Sequence, residues 1–209
     1  MKREDLILYA VTDRSWLGEE SLYGQVEKAL RGGASFVQLR EKALDEEHFL
    51  QEAVTLRELC RRWKVPFVIN DNVDIAVACD ADGVHVGQSD MESGLVREKL
   101  GPGKIIGVSC ETVEQALQAQ KNGADYLGVG AMFPTGTKTD AAAVTYEALR
   151  EICHAVEIPV VAIGGIQQEN ITLLRGSGIA GIAVISAVFS QPDIELACRR
   201  LRKTVMEIL

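Results

Sequence analysis

Eight short apolar runs alternate with helix-like stretches along the whole length of this chain, and that alternation leaves very few folds open. The runs are residues 6–11, 35–39, 66–69, 83–86, 104–108, 126–129, 160–163 and 182–185. Most lack polar alternation, as strands covered on both faces do. Between them, residues 46–63 carry Phe49, Leu50, Ala53, Val54, Leu56 and Leu59 close to a helical period. Residues 112–122, 146–155 and 194–206 read alike. Gly123 after Lys121-Asn122, and the pair Gly32-Gly33, read as helix stops. Eight β-then-α units in 209 residues is the count of an α/β fold of the (β/α)8 TIM-barrel type, somewhat short for one. A doubly wound open sheet is the alternative. Two features favour the barrel. The first turn reads Val11-Thr12-Asp13-Arg14, with no GxGxxG, and unusual polar residues follow strand after strand instead of gathering at one crevice. No linker, low-complexity tract or charge block divides the chain, so residues 1–209 are expected to form one barrel domain.

The second run passes from apolar to cationic: Phe36-Val37-Gln38-Leu39-Arg40-Glu41-Lys42. Strand alternation puts Phe36, Gln38 and Arg40 on one side and Val37, Leu39 and Glu41 on the other, with Lys42 continuing the first set. An amide, a guanidinium and an ammonium at one strand end suit an anion pocket and are costly in a core. An exposed strand edge with ordinary surface charges would look the same in this segment alone.

In a barrel every strand C-terminus opens on one face, where the chemistry sits. That face would gather Gln38, Arg40 and Lys42, then Asn70-Asp71-Asn72, Gly87-Gln88-Ser89-Asp90 and Ser109. The loop Ala131–Thr139, Gly164-Gly165-Ile166 and Ser186-Ala187-Val188 complete it. Asp71 and Asp90 could share a Mg²⁺ ion, which one or two carboxylates commonly hold with phosphate and water. Each also suits a turn or helix N-cap, ahead of Val73 and Met91 respectively. Thr135-Gly136-Thr137-Lys138 offers hydroxyls, backbone N–H groups and a cation, or is a surface loop. Gly164-Gly165 and Ser186 match the recurrent phosphate site of this fold, although two glycines also simply permit a tight turn. One anion site built from cations and a metal, and another from backbone donors, point to an enzyme that joins two phosphorylated small molecules with diphosphate as leaving group. No general base stands out.

Composition narrows the partners. The net charge is −8, which argues against nucleic acid, and no apolar run approaches a membrane span. The apolar run in MKREDLILYA is too short for a signal peptide. Five scattered cysteines without a CxxC pair suit free thiols in the cytoplasm, most of them hydrophobic filler. His48 is expected on a helix surface, His154 near a helix end and His85 in a structural role. Trp16 and Trp63 are expected to pack, with Trp16 at most bordering the mouth.

Taken together, Gln38-Leu39-Arg40-Glu41-Lys42, Ile69-Asn70-Asp71, Gly83 to Asp90, Gly107-Val108-Ser109, Phe133 to Lys138, Ala162 to Ile166 and Val184-Ile185-Ser186 resemble the thiamin phosphate synthase family. The resemblance runs from about Leu8 to Phe189 in the family's motif order. It implies a (β/α)8 barrel that condenses hydroxymethylpyrimidine diphosphate with a thiazole phosphate or its carboxylated form. Thiamin phosphate and diphosphate result, plus CO2 from the carboxylated substrate. By matching motif, Gln38, Leu39, Arg40, Glu41, Lys42, Asn70, Ser109 and Lys138 would bind the pyrimidine diphosphate. Arg40, Lys42, Ser109 and Lys138 would be the catalytic groups among them. Asp71 and Asp90 would hold one Mg²⁺. Thr135, Gly136, Thr137, Gly165, Ile185 and Ser186 would bind the thiazole phosphate, Ile185 through its backbone. Leu39 and Glu41 would contribute mainly backbone. Two rivals stand beside this reading. A related thiazole tautomerase would want a histidine near the strand-6 loop, where this chain has Lys138. A non-catalytic phosphate-binding barrel would not need two anion sites and paired carboxylates.

Overall fold

Eight parallel strands close into a barrel in sequence order. They are β1 (Leu8–Val11), β2 (Phe36–Leu39), β3 (Phe67–Asn70), β4 (Gly83–Val86), β5 (Ile105–Cys110), β6 (Tyr126–Val129), β7 (Val160–Ile163) and β8 (Gly181–Val184). β8 pairs back onto β1, so no strand edge is left open. The helices are α1 (Leu22–Arg31), α2 (Glu46–Trp63), α3 (Val73–Ala78), α4 (Ser93–Leu100), α5 (Val113–Lys121), α6 (Tyr146–Ala155), α7 (Ser186–Phe189) and α8 (Ile194–Ile208). This computed structural model describes residues 1–87, 93–135 and 143–209, with Ser93 and Gly94 described in backbone only.

The helices form where pattern and caps agree. In α2, Phe49, Ala53, Leu56, Leu59 and Cys60 are buried at three- and four-residue spacing. Asp45 caps its start, accepting from the His48 N–H at 3.0 Å, and Lys64 ends it in a left-handed conformation. Leu50 is only half-buried and Val54 lies on the solvent side, so the apolar stripe is narrower than the sequence suggested. Gly33 and Gly123 adopt positive φ just past α1 and α5, as stop signals require.

The barrel differs from an even alternation at two places. Between β7 and β8 there is no α-helix, only a 3-10 turn at Ile171–Leu174. Gly176 and Gly178, both at positive φ, follow it and stop any extension. The first strand begins at Leu8 because Arg3–Leu6 forms a 3-10 turn, although Leu6 is still fully buried.

The interior and exterior of the barrel separate as strand parity demands. Val37 and Leu39 join the layer between sheet and helices, whereas Tyr9, Val11, Phe36, Val68, Tyr126 and Val161 pack inside. Tyr9, Phe36 and Tyr126 fill the centre, with ring centroids 4.6 to 5.9 Å apart. Gly107 on β5 makes this possible. A Cβ there would run into the Tyr126 ring and stand 2.5 Å from His85 Nδ1.

Candidate functional site

Above the aromatic centre, the strand ends carry polar side chains into a common mouth. Gln38 is 3 % exposed and His85 7 %, both buried among apolar neighbours. Such burial is tolerable only when the polar atoms are satisfied. Here they are linked in series. Gln38 Nε2 donates to the Tyr9 hydroxyl, which lies 2.8 Å from the Tyr126 hydroxyl. Tyr126 is 2.9 Å from His85 Nδ1, and His85 Nε2 is 3.0 Å from Ser109 Oγ. Burial pushes both phenols far above their ordinary range, against the lowering effect at Tyr9 of its bonds to Tyr126 and Gln38. Both therefore stay protonated. His85 thus links the buried tyrosines to Ser109, a candidate site residue.

The cationic run after β2 is held from beneath. Thr12, fully buried at the end of β1, accepts from the Arg40 N–H at 3.0 Å through its hydroxyl. Arg40 Nη1 pairs with Asp13 Oδ2 at 3.1 Å. Glu41 turns away from the inner cavity. One of its oxygens accepts from the Lys42 and Ala43 N–H groups, both at 2.7 Å, and the other pairs with Arg14. Arg14 also binds Glu52 at 2.6 Å. Burial pushes the Glu41 carboxyl up, but the Ala43 and Lys42 amides and the Arg14 guanidinium outweigh it and leave it below the ordinary value. At Glu52 burial wins over Arg14 and the carboxyl is raised. Leu39 is fully buried in the outer layer, and its side chain faces away from the barrel interior.

Asp71 follows β3 in a left-handed conformation, φ +61°. Its N–H donates to the His85 carbonyl at 2.8 Å. Its Oδ2 accepts from Asn70 Nδ2 at 2.5 Å and lies 3.3 Å from Lys42 Nζ. The cap of α3 is Asn72, whose side chain accepts from the Ile75 N–H at 3.0 Å, so Asp71 does not serve as the N-cap. Among the described residues, no group of three or more His, Cys, Asp or Glu could hold a metal. Asp71 nevertheless fits a cation, since its carboxylate already gathers an ammonium and an amide N–H. Asp90, Gly136, Thr137 and Lys138 lie outside the described residues.

The opposite side of the mouth is built from backbone. Gly165 has φ +65°, and a Cβ on it would stand 2.5 Å from the carbonyl oxygens of Phe133 and Pro134. The glycine therefore serves the turn and the close passage of the β6 loop at once. Its own carbonyl accepts from Asn170 Nδ2 at 2.9 Å. Ser186 opens α7, and Gln167 Nε2 donates to its hydroxyl at 3.2 Å. β8 ends at Val184, one residue before the end expected from sequence, because the chain turns at Ile185 to start α7. Thr135 is half-buried beside them.

These parts surround two adjoining cavities. The inner one, about 400 Å³, is lined by Gln38, Asn70, Asp71, His85, Ser109 and Ile185 among others. The outer one, about 720 Å³, is lined by Asp13, Arg14, Trp16, Glu41 and Gln167. Arg40, Lys42, Thr135, Gly165 and Ser186 line both. Trp16, 43 % exposed, thus borders the mouth, and Trp63 at the end of α2 is 42 % exposed, so neither is packed as fully as expected. His48 and His154 are exposed on their helices.

Sequence reading missed Tyr9, Tyr126, Thr12, Arg14 and Gln167. A signal existed for the tyrosines, since strand parity places both inside the barrel. Their meeting across the barrel depends on closure, which no local pattern states. The five cysteines are all free thiols, four of them buried. No helix among the described residues is long and apolar enough to cross a membrane.

The profile of a family described as thiamine monophosphate synthase matches residues 8–188. A thiamine-phosphate synthase of Ruminiclostridium cellulolyticum is 50 % identical over 94 % of this chain and 94 % of its own. One from Clostridium acetobutylicum is 50 % identical over 93 % of this chain and 92 % of its own. The solved thiamine phosphate pyrophosphorylase from Pyrococcus furiosus is 43 % identical and superposes with a TM-score of 0.91, covering 99 % of this chain and 98 % of that one.

Proposed function

Since the chain belongs to the thiamine monophosphate synthase family and is a transferase, we propose that it condenses hydroxymethylpyrimidine diphosphate with thiazole phosphate or its carboxylated form. The observation that supports this reading is that two chemically unlike neighbourhoods line adjoining cavities of one mouth. One carries the cations Arg40 and Lys42 beside the Asp71 carboxylate, and the other offers backbone and hydroxyl donors at Gly165, Ser186 and Thr135.

In this reading Gln38, Asn70, Ser109 and the backbone of residues 39–41 bind the pyrimidine diphosphate. Arg40, Lys42 and Lys138 meet the charge that grows on the diphosphate as its C–O bond to the pyrimidine methylene breaks. Fixed cations in a water-poor cleft favour that charge more than water does. The thiazole nitrogen then donates its lone pair to the methylene carbon, forming the C–N bond. A carboxylated thiazole leaves its carboxyl group as CO2. Thr135, Gly136, Thr137, Gly165, the Ile185 backbone and Ser186 hold the thiazole phosphate. Asp71 and Asp90 would hold one Mg²⁺, which supplies further charge neutralisation to the diphosphate. Residues 1–209 form the catalytic domain, acting on two phosphorylated small molecules in the cytoplasm, with neither nucleic acid nor membrane as partner.

The test is direct. Purified protein, both phosphorylated substrates and Mg²⁺ should yield thiamin phosphate and diphosphate in equal amounts. Intact substrates after long incubation across pH and metal conditions would overturn the assignment.

A further inference from the structure

The end of β1 supplies none of the residues read as substrate or metal contacts, yet two consecutive residues there grip a single residue of β2's end. Thr12 donates its N–H to the Gln38 carbonyl at 3.0 Å, and its hydroxyl accepts from the Arg40 N–H at 3.0 Å. Asp13 reaches the far end of the same arginine. Its Oδ2 lies 3.1 Å from Arg40 Nη1, and its Oδ1 accepts from the Ser15 N–H at 2.9 Å. One carboxylate therefore ties the guanidinium to the turn Arg14–Trp16. The pair is little exposed, 16 % at the Arg40 side chain and 13 % at Asp13. A long side chain held at its backbone and at its tip has lost most of its rotamer freedom before any ligand arrives. Among the described residues, Asp13 is the one acceptor for the Arg40 guanidinium, which leaves Nε and Nη2 to a ligand.

This grip works against affinity. Asp13 and Arg40 line the same outer cavity, so an anion on the guanidinium meets a fixed negative charge beside it. A site built for affinity alone would leave that carboxylate out. Fixing the direction of a donor is useful where charge grows at one place during a reaction, as on a departing diphosphate. We propose that Asp13 is a positioning residue that acts through Arg40. It aims the remaining guanidinium N–H groups at the leaving diphosphate and weakens ground-state anion binding in doing so. Asp13→Asn separates the two effects. Asparagine has one acceptor oxygen where aspartate has two. As a good cap it keeps that oxygen on the Ser15 N–H and turns its NH2 group toward Arg40. Two donors then face each other, and the guanidinium is released.

This inference rests on the diphosphate-releasing reading above. In Asp13→Asn, kcat at saturating substrates should fall about 10- to 100-fold. Calorimetry should show inorganic diphosphate with Mg²⁺ binding as tightly as to the parent, or more tightly. In an Arg40→Ala background the same substitution should change kcat by less than about twofold, since no guanidinium is left to aim. Parental kcat in Asp13→Asn would overturn the proposal. So would a parallel fall in kcat and diphosphate affinity, or an equal fall in kcat with and without Arg40. The turn is checked separately. Trp63→Phe leaves Trp16 as the sole indole, and its quenching by acrylamide should be the same with Asp13 or with Asp13→Asn. Raised quenching would mean that the carboxylate holds the turn and not the arginine, which also overturns the proposal. A last measurement needs no turnover. The two Arg40 Nη signals should be distinct by nitrogen NMR in the parent and merge in Asp13→Asn as rotation about Nε–Cζ is freed. Product formation by the unaltered protein is scored beside it. Product, with Nη signals already merged in the parent, sinks the positioning alone. No product, with distinct signals that merge in the variant, sinks the reaction alone.

Discussion

Asp71 occupies a conformation that costs most side chains about 1 kcal/mol or more and that asparagine and aspartate tolerate best. Its N–H is tied to the His85 carbonyl and its carboxylate faces Lys42. Backbone and charge can therefore be separated by substitution. Asp71→Asn keeps a side chain suited to the turn and removes the charge. It should melt within about 2 °C of the parent while losing about 100-fold or more in Mg²⁺-dependent turnover. Near-parental turnover would remove Asp71 from any metal role. The cysteines give the opposite expectation. Burial pushes the Cys110 and Cys198 thiols up to about 12 and Cys153 to about 11. Thiolate is scarce at neutral pH, so iodoacetamide at about pH 8 should label the folded protein slowly and leave activity intact. Rapid labelling of Cys110, beside Ser109 at the end of β5, with loss of activity would contradict this.

At the scale of elements, the β2–α2 loop depends on Glu41. Its carboxyl sits below the ordinary value, so its contribution is complete above that value and is lost as pH falls through and below it. Glu52, raised by burial, acts with the opposite sign, since protonation in acid suits its folded environment. Glu41→Gln isolates the first effect. It keeps an acceptor for the loop amides and loses the pair with Arg14. The stability difference between parent and variant should be largest near neutral pH and shrink below about pH 5. A difference constant with pH would mean that the charge on Glu41 is irrelevant. Gly107 tests β5 in the same way. Gly107→Ala pushes a methyl group into Tyr126 and His85 and should cost about 1–3 kcal/mol in urea denaturation. Much at this scale was legible in the sequence. Helices 46–63 and 146–155 are written in their apolar spacing, and the Phe36/Gln38 parity follows from the two-residue strand period. The 3-10 turn at Ile171–Leu174 was not legible, because Ile171 and Leu174 are buried at a spacing that suits an α-helix equally well. The holding of Arg40 by Thr12 and Asp13 was hidden too, because it joins the ends of two strands that only tertiary pairing makes neighbours.

For the molecule as a whole, the proposed function requires a net charge of −8 to coexist with affinity for two anions. The described site cations are themselves paired with carboxylates, so the mouth offers an anion directed guanidinium and ammonium donors and not a local excess of positive charge. Arg40 lies on Asp13, Lys42 on Asp71, and Arg14 on Glu41 and Glu52. A screening length of about 8 Å at physiological salt keeps distant surface carboxylates out of the balance. Binding therefore depends on the mouth, and its effect should appear in global stability because the closed barrel ties the mouth to the whole sheet. A ligand at about 100 times its dissociation constant adds about 2.7 kcal/mol to a folded state that alone binds it. For a chain of this size each kcal/mol moves Tm by about 2–4 °C, so inorganic diphosphate with Mg²⁺ should raise Tm by about 5–11 °C. Thiazole phosphate at the same saturation should do likewise. The decisive measurement combines them. If the cationic side and the Gly165–Ser186 side are separate subsites of one mouth, the two stabilisation energies add, and the joint shift approaches twice either one. If both anions compete for Arg40 and Lys42, which line both cavities, the joint shift will exceed the larger single shift by only about 1–2 °C, and the division of the mouth into two subsites falls.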